Sequence, residues 1–211
     1  MSASFKEKYG PWGFVAGASE GLGAAWAQGL ASRGLNVLLV ARRAEALEAT
    51  AATLRERFGV EVRCAPLDLG APGLAERLAV LTEGLEIGLA VYNAAWSAMG
   101  PFVDATLESQ LSAIDVNCRG PVTVAHVLGR PMAKRGRGGL VLMSSLTAFQ
   151  GSPFISTYGA TKAFNLVLGE GLWFELRERG VDVLACAAGA TATPNMLRAN
   201  PNGEPGMIQP E

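Results

Sequence analysis

Tyr158 and Lys162, in the stretch Tyr-Gly-Ala-Thr-Lys, stand four residues apart at the start of an apolar helical run, so a phenol and an ammonium share one helix face. Alone, a tyrosine is a poor acid or base near neutrality, because its ordinary pKa is about 10. Something nearby must change that. A second cluster lies near the N-terminus, where Gly17, Gly21 and Gly23 separate an apolar run from a helical pattern. Glycines at this spacing permit a tight turn and close backbone approach, and the helix starting there offers unpaired N–H groups to a pyrophosphate. The same residues spell Gly17-Ala18-Ser19-Glu20-Gly21, the Gly-x-Ser-x-Gly pattern of a hydrolase nucleophile elbow, and Ser19, Asp104 or Asp115, and His126 run in triad order. His126, however, falls inside a helical pattern, whereas a triad base must reach the serine from above the sheet.

A third cluster follows the second apolar run, where Ala41 is succeeded by Arg42 and Arg43. An arginine at this place accommodates a ribose 2′-phosphate, while an acidic residue would favour the free 2′-hydroxyl. The plainer reading is that both arginines open a solvated helix. Glu20 brings a negative charge to the region where phosphate would sit.

The elements that must position these residues alternate regularly. Apolar runs at Trp12–Ala18, Asn36–Ala41, Val60–Asp68, Ile87–Ala95, Gly139–Ser145 and Val181–Gly189 read as strands. Between them, helical patterns run from Gly21 to Arg33, Ala44 to Phe58, Pro72 to Leu81, Leu107 to about Ala133 with a break at Pro121, and Ser156 to Arg179. Strands this uniformly apolar belong to a parallel sheet covered on both faces, and the alternation predicts a doubly wound α/β fold of Rossmann type. Ligands in such sheets sit beyond the carboxyl ends of the strands. The tail from residue 190 to 211 is rich in Pro, Gly and Asn, lacks periodicity, and reads as a loop.

The chain has 211 residues, 49% hydrophobic and 18% charged, with net charge −1. This length supports one domain, residues 1–211, with a substantial core. The near-neutral balance gives no electrostatic reason to expect nucleic acid or an anionic membrane as partner. No stretch reaches the roughly 18 apolar residues of a membrane span, and the N-terminus lacks a long signal-type core, so the expectation is a soluble, cytoplasmic protein. Cys64, Cys118 and Cys186 lie far apart in apolar segments, spaced neither for disulfides nor for a metal, and read as reduced core residues. With 1 histidine in the chain, no multi-histidine zinc site is possible, and no metal is expected.

With the glycine spacing at its start and the Tyr158–Lys162 pair, the chain resembles the short-chain dehydrogenase/reductase family over residues 10 to 195. Further landmarks fall in order: Asp68, Tyr92-Asn93-Ala94-Ala95 where the family has Asn-Asn-Ala-Gly, Asn117, Ser145, and 187–193 resembling Pro-Gly-x-x-x-Thr. Ala95 and Ala188 depart from the family glycine and proline. The glycine spacing fits the shorter, single-domain branch. Family members usually continue through another helix and a seventh strand, which the chain lacks, and it is expected to be C-terminally incomplete.

The resemblance implies an NADP(H)-dependent oxidoreductase acting on a small-molecule carbonyl or alcohol, with Tyr158 as general acid or base. A Lys162 charge about 4 Å from the phenolate would contribute about 4 kcal/mol at an effective dielectric of about 20, lowering the tyrosine pKa by roughly three units. By the same resemblance Ser145 hydrogen-bonds the substrate oxygen, and Asn117 helps hold a water that links Lys162 to solvent. Coenzyme contacts carry over to Gly17, Ser19, Gly21, Leu22 and Gly23 for phosphates and ribose, and to Arg42 for the 2′-phosphate. Asp68 and Leu69 are assigned to the adenine, Asn93 to the adenosine ribose, Tyr158 and Lys162 to the nicotinamide ribose, and Gly189, Thr191 and Thr193 to the carboxamide end. Trp96, Phe149, Phe154, Trp173 and Met196 are candidates to shape an apolar pocket. The family commonly dimerises through the helices bearing Asn117 and Tyr158, so a homodimer or homotetramer is expected. Two other readings stand beside this one: a non-catalytic dinucleotide-binding regulatory module, and a serine hydrolase built on Ser19.

Overall fold

Runs of apolar residues without alternation become strands buried on both faces. The computed structural model describes residues 4–199, 207 and 208, and its strands are β1 (Trp12–Ala16), β2 (Asn36–Ala41), β3 (Val62–Pro66), β4 (Ile87–Tyr92), β5 (Gly138–Ser145) and β6 (Val181–Ala188). They form one sheet in the order β3-β2-β1-β4-β5-β6, every neighbouring pair parallel. The order reverses between β1 and β4, which opens a crevice at their carboxyl ends. This is the doubly wound Rossmann fold that the alternation of elements predicts.

Successive strand residues feed opposite cores, because side chains alternate across a sheet. Phe14 and Leu38 join Leu74, Leu78, Leu128 and Met132 on one face, which α4 (Leu74–Leu81), α6 (Gly120–Arg135) and α7 (Ser156–Leu176) cover. Val15 and Leu39 join Ala27, Leu30, Leu47 and Leu54 on the other, beneath α2 (Gly21–Ala31) and α3 (Ala44–Phe58). Helix ends shift by a few residues from expectation: α2 stops at Ala31, α4 begins at Leu74, and a short 3-10 turn, Arg177–Arg179, completes α7.

Three differences are larger. The first is the helix α1 (Phe5–Tyr9), which the alternation of elements does not suggest. Its signal is local: Ser4 and Glu7 form a reciprocal capping box. It lies against β4 so closely that a Cβ on Gly88 would stand 2.1 Å from the Tyr9 carbonyl oxygen. Arg137 ties it down by donating to the carbonyls of Glu7 and Gly10, each at 3.0 Å.

The second concerns the helix expected to break at Pro121. It breaks earlier, as α5 (Leu107–Ile114), a π-helical turn at Asp115–Arg119, and then α6. Pro121 has no N–H to return to residue 117, and the Gly120 N–H reaches back to the Asp115 carbonyl instead. The Tyr92 hydroxyl donates to the Val116 carbonyl at 2.5 Å. A Cβ on Gly120 would meet that hydroxyl oxygen at 2.0 Å, so the helix can approach β4 only with glycine there. A π-turn re-aims the side chains it carries, and Asn117 is the one brought inward.

The third is the tail, which is not wholly loop. Pro194–Ala199 forms α8, started by a proline whose φ suits a first helical turn and capped by Thr193, whose hydroxyl accepts from the Met196 N–H at 3.2 Å. Beyond Ala199 the expected loop, apart from residues 207 and 208, lies outside the described residues. Among the described residues, no helix is long and apolar enough to cross a membrane.

Candidate active site

The loop between β1 and α2 needs its glycines. Gly17 has φ +80°, and a Cβ there would lie 2.7 Å from the Ala94 backbone, while a Cβ on Gly23 would fall 1.9 Å from the Gly17 carbonyl oxygen. Asn93, just past β4, closes this turn by donating its amide to the Gly17 carbonyl at 3.1 Å. Glu20 occupies the N-cap of α2 without capping it through its side chain. The first N–H groups of the helix therefore remain open to an anion at the mouth of the crevice.

Two arginines flank this loop. Arg43 donates to the Ser19 hydroxyl at 3.2 Å and pairs with Glu20 at 2.9 Å. Arg42 instead rests over the Trp96 ring, 5.8 Å from its centroid. Of the two, Arg43 is the one joined to the glycine loop as the side chains stand. An uncapped helix start beside a serine and two guanidinium groups is a donor set that fits the phosphates of a dinucleotide. Asp68 follows β3 and accepts from the Gly70 N–H at 3.0 Å. Leu69, by contrast, is buried in the core, so its side chain is not presented to an adenine. Leu22 is half-buried against the α2 side of the core.

The proposed chemistry meets at the other end of the crevice. Ser145 closes β5, Tyr158 lies in the first turn of α7, and the Ser145 side chain is near enough to the phenol to pull its pKa down. The adjacent Ser144 is buried and points elsewhere, donating to the Lys162 carbonyl at 2.7 Å and stapling α7 to β5. Lys162 is buried, and its ammonium donates to the Met143 carbonyl at 2.9 Å.

The expectation that Lys162 lowers the Tyr158 pKa is overturned for the side chains as they stand. The Nζ atom lies 5.4 Å from the tyrosine ring centroid, directed at the Met143 carbonyl and not at the phenol oxygen. Burial pushes the Tyr158 hydroxyl above its ordinary value, with the Ser145 hydrogen bond pulling the other way. Burial also drives Lys162 down to about 8, against an opposing influence from Cys118. Desolvation outweighs pairing for both groups.

Asn117 sits at the centre of the site, fully buried. Its Oδ1 accepts from the Trp96 N–H at 2.8 Å, and its Nδ2 donates to the Trp96 carbonyl at 2.8 Å and to the Thr161 hydroxyl at 2.9 Å. Both amide hydrogens are used, and none of these bonds goes to Lys162. The side chain thereby forms a clamp between the loop after β4 and the start of α7. Thr161 extends the clamp by donating to the Tyr158 carbonyl at 2.7 Å. Its position inside Tyr-Gly-Ala-Thr-Lys was the available signal.

The segment after β6 also departs from expectation in part. Ala188, where the resemblance expects proline, continues β6 and pairs with Ser145. Gly189 is half-buried beside Leu146, and Thr191 is buried with its hydroxyl donating to the Gly189 carbonyl at 3.0 Å. Thr193 packs on Gly21, across the phosphate loop. Trp96, Phe149 and Phe154 are exposed on the loops beyond β4 and β5, and Met196 is half-buried on α8. Trp173 is elsewhere, fifteen residues or about 22 Å along α7 from Tyr158, beneath the Arg177 guanidinium. The three cysteines are free and half-buried, with Cys64 and Cys186 packed against the edge of one core. Nothing among the described residues hydrogen-bonds Ser19 to His126, which is exposed on α6, so no hydrolase triad forms.

A family model described as short chain dehydrogenase matches residues 12–204. The 7β-hydroxysteroid dehydrogenase of Collinsella aerofaciens is 37% identical over 203 residues, covering 96% of this chain and 77% of that protein. A solved short-chain dehydrogenase from Sphingobium yanoikuyae in complex with NADPH has a TM-score of 0.89 at 34% identity, covering 95% of this chain and 79% of that one. The bulky-bulky ketone specific alcohol dehydrogenase from Comamonas testosteroni has a TM-score of 0.86 at 30% identity, over 96% and 78% of the two chains.

The depressed Lys162 pKa has a consequence for stability. Its folded value of about 8 lies below the ordinary 10.5, so between these pH values the unfolded chain binds more protons than the folded one. Stability from this residue therefore rises with pH across that window and levels off above it. Urea unfolding of Lys162→Met should lose that rise, and a variant retaining the wild-type pH slope would contradict the burial of a neutralised amine.

Proposed function

Because the chain belongs to the short-chain dehydrogenase family and is an oxidoreductase of alcohol and carbonyl groups, we propose that it works with NADP(H) and uses Tyr158 as its general acid and base. The observation that carries this is the convergence of Ser145, Tyr158 and Lys162 at one end of a crevice whose other end is a phosphate cradle flanked by arginines. The coenzyme, when bound, supplies or accepts the hydride. Tyr158 gives its proton to the oxygen of a ketone or aldehyde during reduction and takes it back during alcohol oxidation. Ser145 holds that oxygen by a hydrogen bond and shares its developing charge. Burial makes the phenol a weaker acid, so a further positive charge beside it, such as an oxidised nicotinamide ring, assists its ionisation. Lys162, with a pKa of about 8, exchanges protons near neutrality and orients the ribose. Asn117 and Thr161 keep the first turn of α7 in place.

The substrate class follows from the rim. Met99, Phe102, Leu146, Phe149 and Phe154 are exposed on the loops leading to Tyr158, an apolar mouth suited to a bulky, weakly polar ketone or secondary alcohol. The steroid and bulky-ketone names of the relatives support this reading. Arg43 and Ser19 are the ligands we assign to the 2′-phosphate, with Arg42 beside the adenosine.

The same helices support self-association. Along α7, Ala160, Phe164, Val167, Gly171 and Phe174 are exposed at alternating steps of four and three residues. Neighbouring α5 exposes Leu107, Leu111 and Ile114 in the same rhythm. Such seams suit a second copy packing helix on helix, giving a homodimer, or a homotetramer if a further face is used.

Tyr158→Phe should lower kcat/KM at least about 100-fold while NADPH binding stays within about threefold. Turnover unaffected by this change would refute the mechanism, and full-strength binding with no wild-type turnover on any carbonyl would favour a regulatory module. Arg43→Ala should weaken NADPH about tenfold with little effect on NADH, measured by fluorescence titration. Val167→Glu should yield monomers in sedimentation equilibrium with unchanged circular dichroism.

A further inference from the structure

The Glu20 carboxylate is a meeting point of three parts of the chain. It belongs to the glycine loop, receives Arg43 from the end of β2 at 2.9 Å, and receives Arg198 from α8, whose Nη1 lies 3.3 Å from Oε2 and whose Nη2 contacts Oε1. Both guanidinium groups converge on the same oxygen. Burial alone would push this carboxyl up, but hydrogen bonds from Arg198 and Arg43 outweigh it and hold the carboxyl below its ordinary range. One anion therefore serves two cations that repel each other, and whatever occupies one of them strengthens the hold of the other.

Arg198 is also the charged anchor of the segment that lies on the phosphate loop. The Thr193 methyl would stand 2.8 Å from a Cβ on Gly21, so packing fixes the segment at that glycine. Thr193 caps α8, the Ala192 N–H donates to the Ile208 carbonyl at 2.8 Å, and the Ile208 N–H donates to the Ala190 carbonyl at 3.0 Å. The segment is a small ordered unit fastened at Gly21 by contact and at Glu20 by charge.

Resting on the NADP(H) reading above, we propose that Glu20 and Arg198 form a clasp that senses the ribose 2′-phosphate through Arg43 without touching it. Arg43 can satisfy Glu20 or a phosphate. When it turns to a 2′-phosphate, Glu20 is left to Arg198 alone, and segment 190–199 is held more firmly over the loop. With a coenzyme lacking that phosphate, Arg43 stays on Glu20 and the clasp is weaker. Arg198 is thus a positioning residue that contributes to coenzyme preference from outside the phosphate site.

The test measures NADPH and NADH affinity by fluorescence titration in the wild type, Arg198→Met, Glu20→Gln, their double variant, and Arg43→Ala. Arg198→Met keeps the aliphatic stem at an exposed position and should weaken NADPH about threefold and NADH distinctly less, as an exposed ion pair would. In the Glu20→Gln background the same change should do nothing further. Tryptic cleavage at Arg198 should be slowed more by NADPH than by NADH in the wild type. Equal losses for both coenzymes, no loss for either, or an undiminished Arg198→Met effect in the Glu20→Gln background would overturn the clasp. An Arg43→Ala variant with unchanged coenzyme preference would instead overturn the assignment of the 2′-phosphate to Arg43, and the clasp with it.

Discussion

An ammonium group taken out of water at the carboxyl end of a parallel sheet is the constraint around which this site is organised. Lys162 is almost fully buried, and its charge finds one carbonyl, that of Met143, at the end of β5. A buried amine with so little compensation gives up basicity, which leaves its proton exchangeable near neutral pH. Holding it there requires α7 to sit on β5 at one depth and one rotation. Ser144 supplies that by bonding the Lys162 carbonyl, and the glycines at 159 and 169 let the helix come close to Thr147 and Ala185. The phenol of Tyr158, one turn earlier, is carried to Ser145 by the same packing.

The opposing wall of the site depends on an irregularity. A regular α-helix from Leu107 onward would carry residue 117 out of register with the loop after β4. The π-turn corrects this, and it exists because Pro121 withholds an N–H while the Tyr92 hydroxyl accommodates the Val116 carbonyl. Asn117 then clasps both backbone groups of Trp96 and the Thr161 hydroxyl, so the loop after β4 and the start of α7 share one buried amide. Truncating such a group would leave several buried partners unsatisfied, each at a cost of about 1–3 kcal/mol. The Asn117 end of the crevice is tied by buried hydrogen bonds, whereas the glycine-loop end is tied by ion pairs whose arginines are exposed.

Much of this was legible in the residues. The apolar runs identified the six strands, of which the four central ones are buried on both faces, and the Gly17, Gly21 and Gly23 spacing marked a loop where a Cβ on any of these three glycines would collide or strain. The Tyr158–Lys162 interval survives as one helix that carries a half-buried phenol and a buried amine. Three things were not legible. The choice of Arg43 over Arg42 turns on which way each side chain leaves the end of β2, and both arginines are equally plausible in sequence. The α1 helix escapes notice because its five residues carry no amphipathic period, though its capping box was in view. Arg198 lies 178 residues from Glu20, and no local pattern links them.

By itself, then, the order of residues determined the six strands and the main helices that alternate with them, and singled out the glycine loop and the helix-borne phenol and amine as the candidate site, since these rest on periodicity, glycine sterics and spacing within one helix turn. Only the tertiary structure decided the electrostatics. Whether Lys162 lowers or fails to lower the tyrosine pKa depends on distances and on solvent removed by the whole sheet and its helices, and here desolvation prevails over pairing. The partners of Glu20 were settled in the same way, because Coulomb interactions respect separation in space and take no account of separation along the chain.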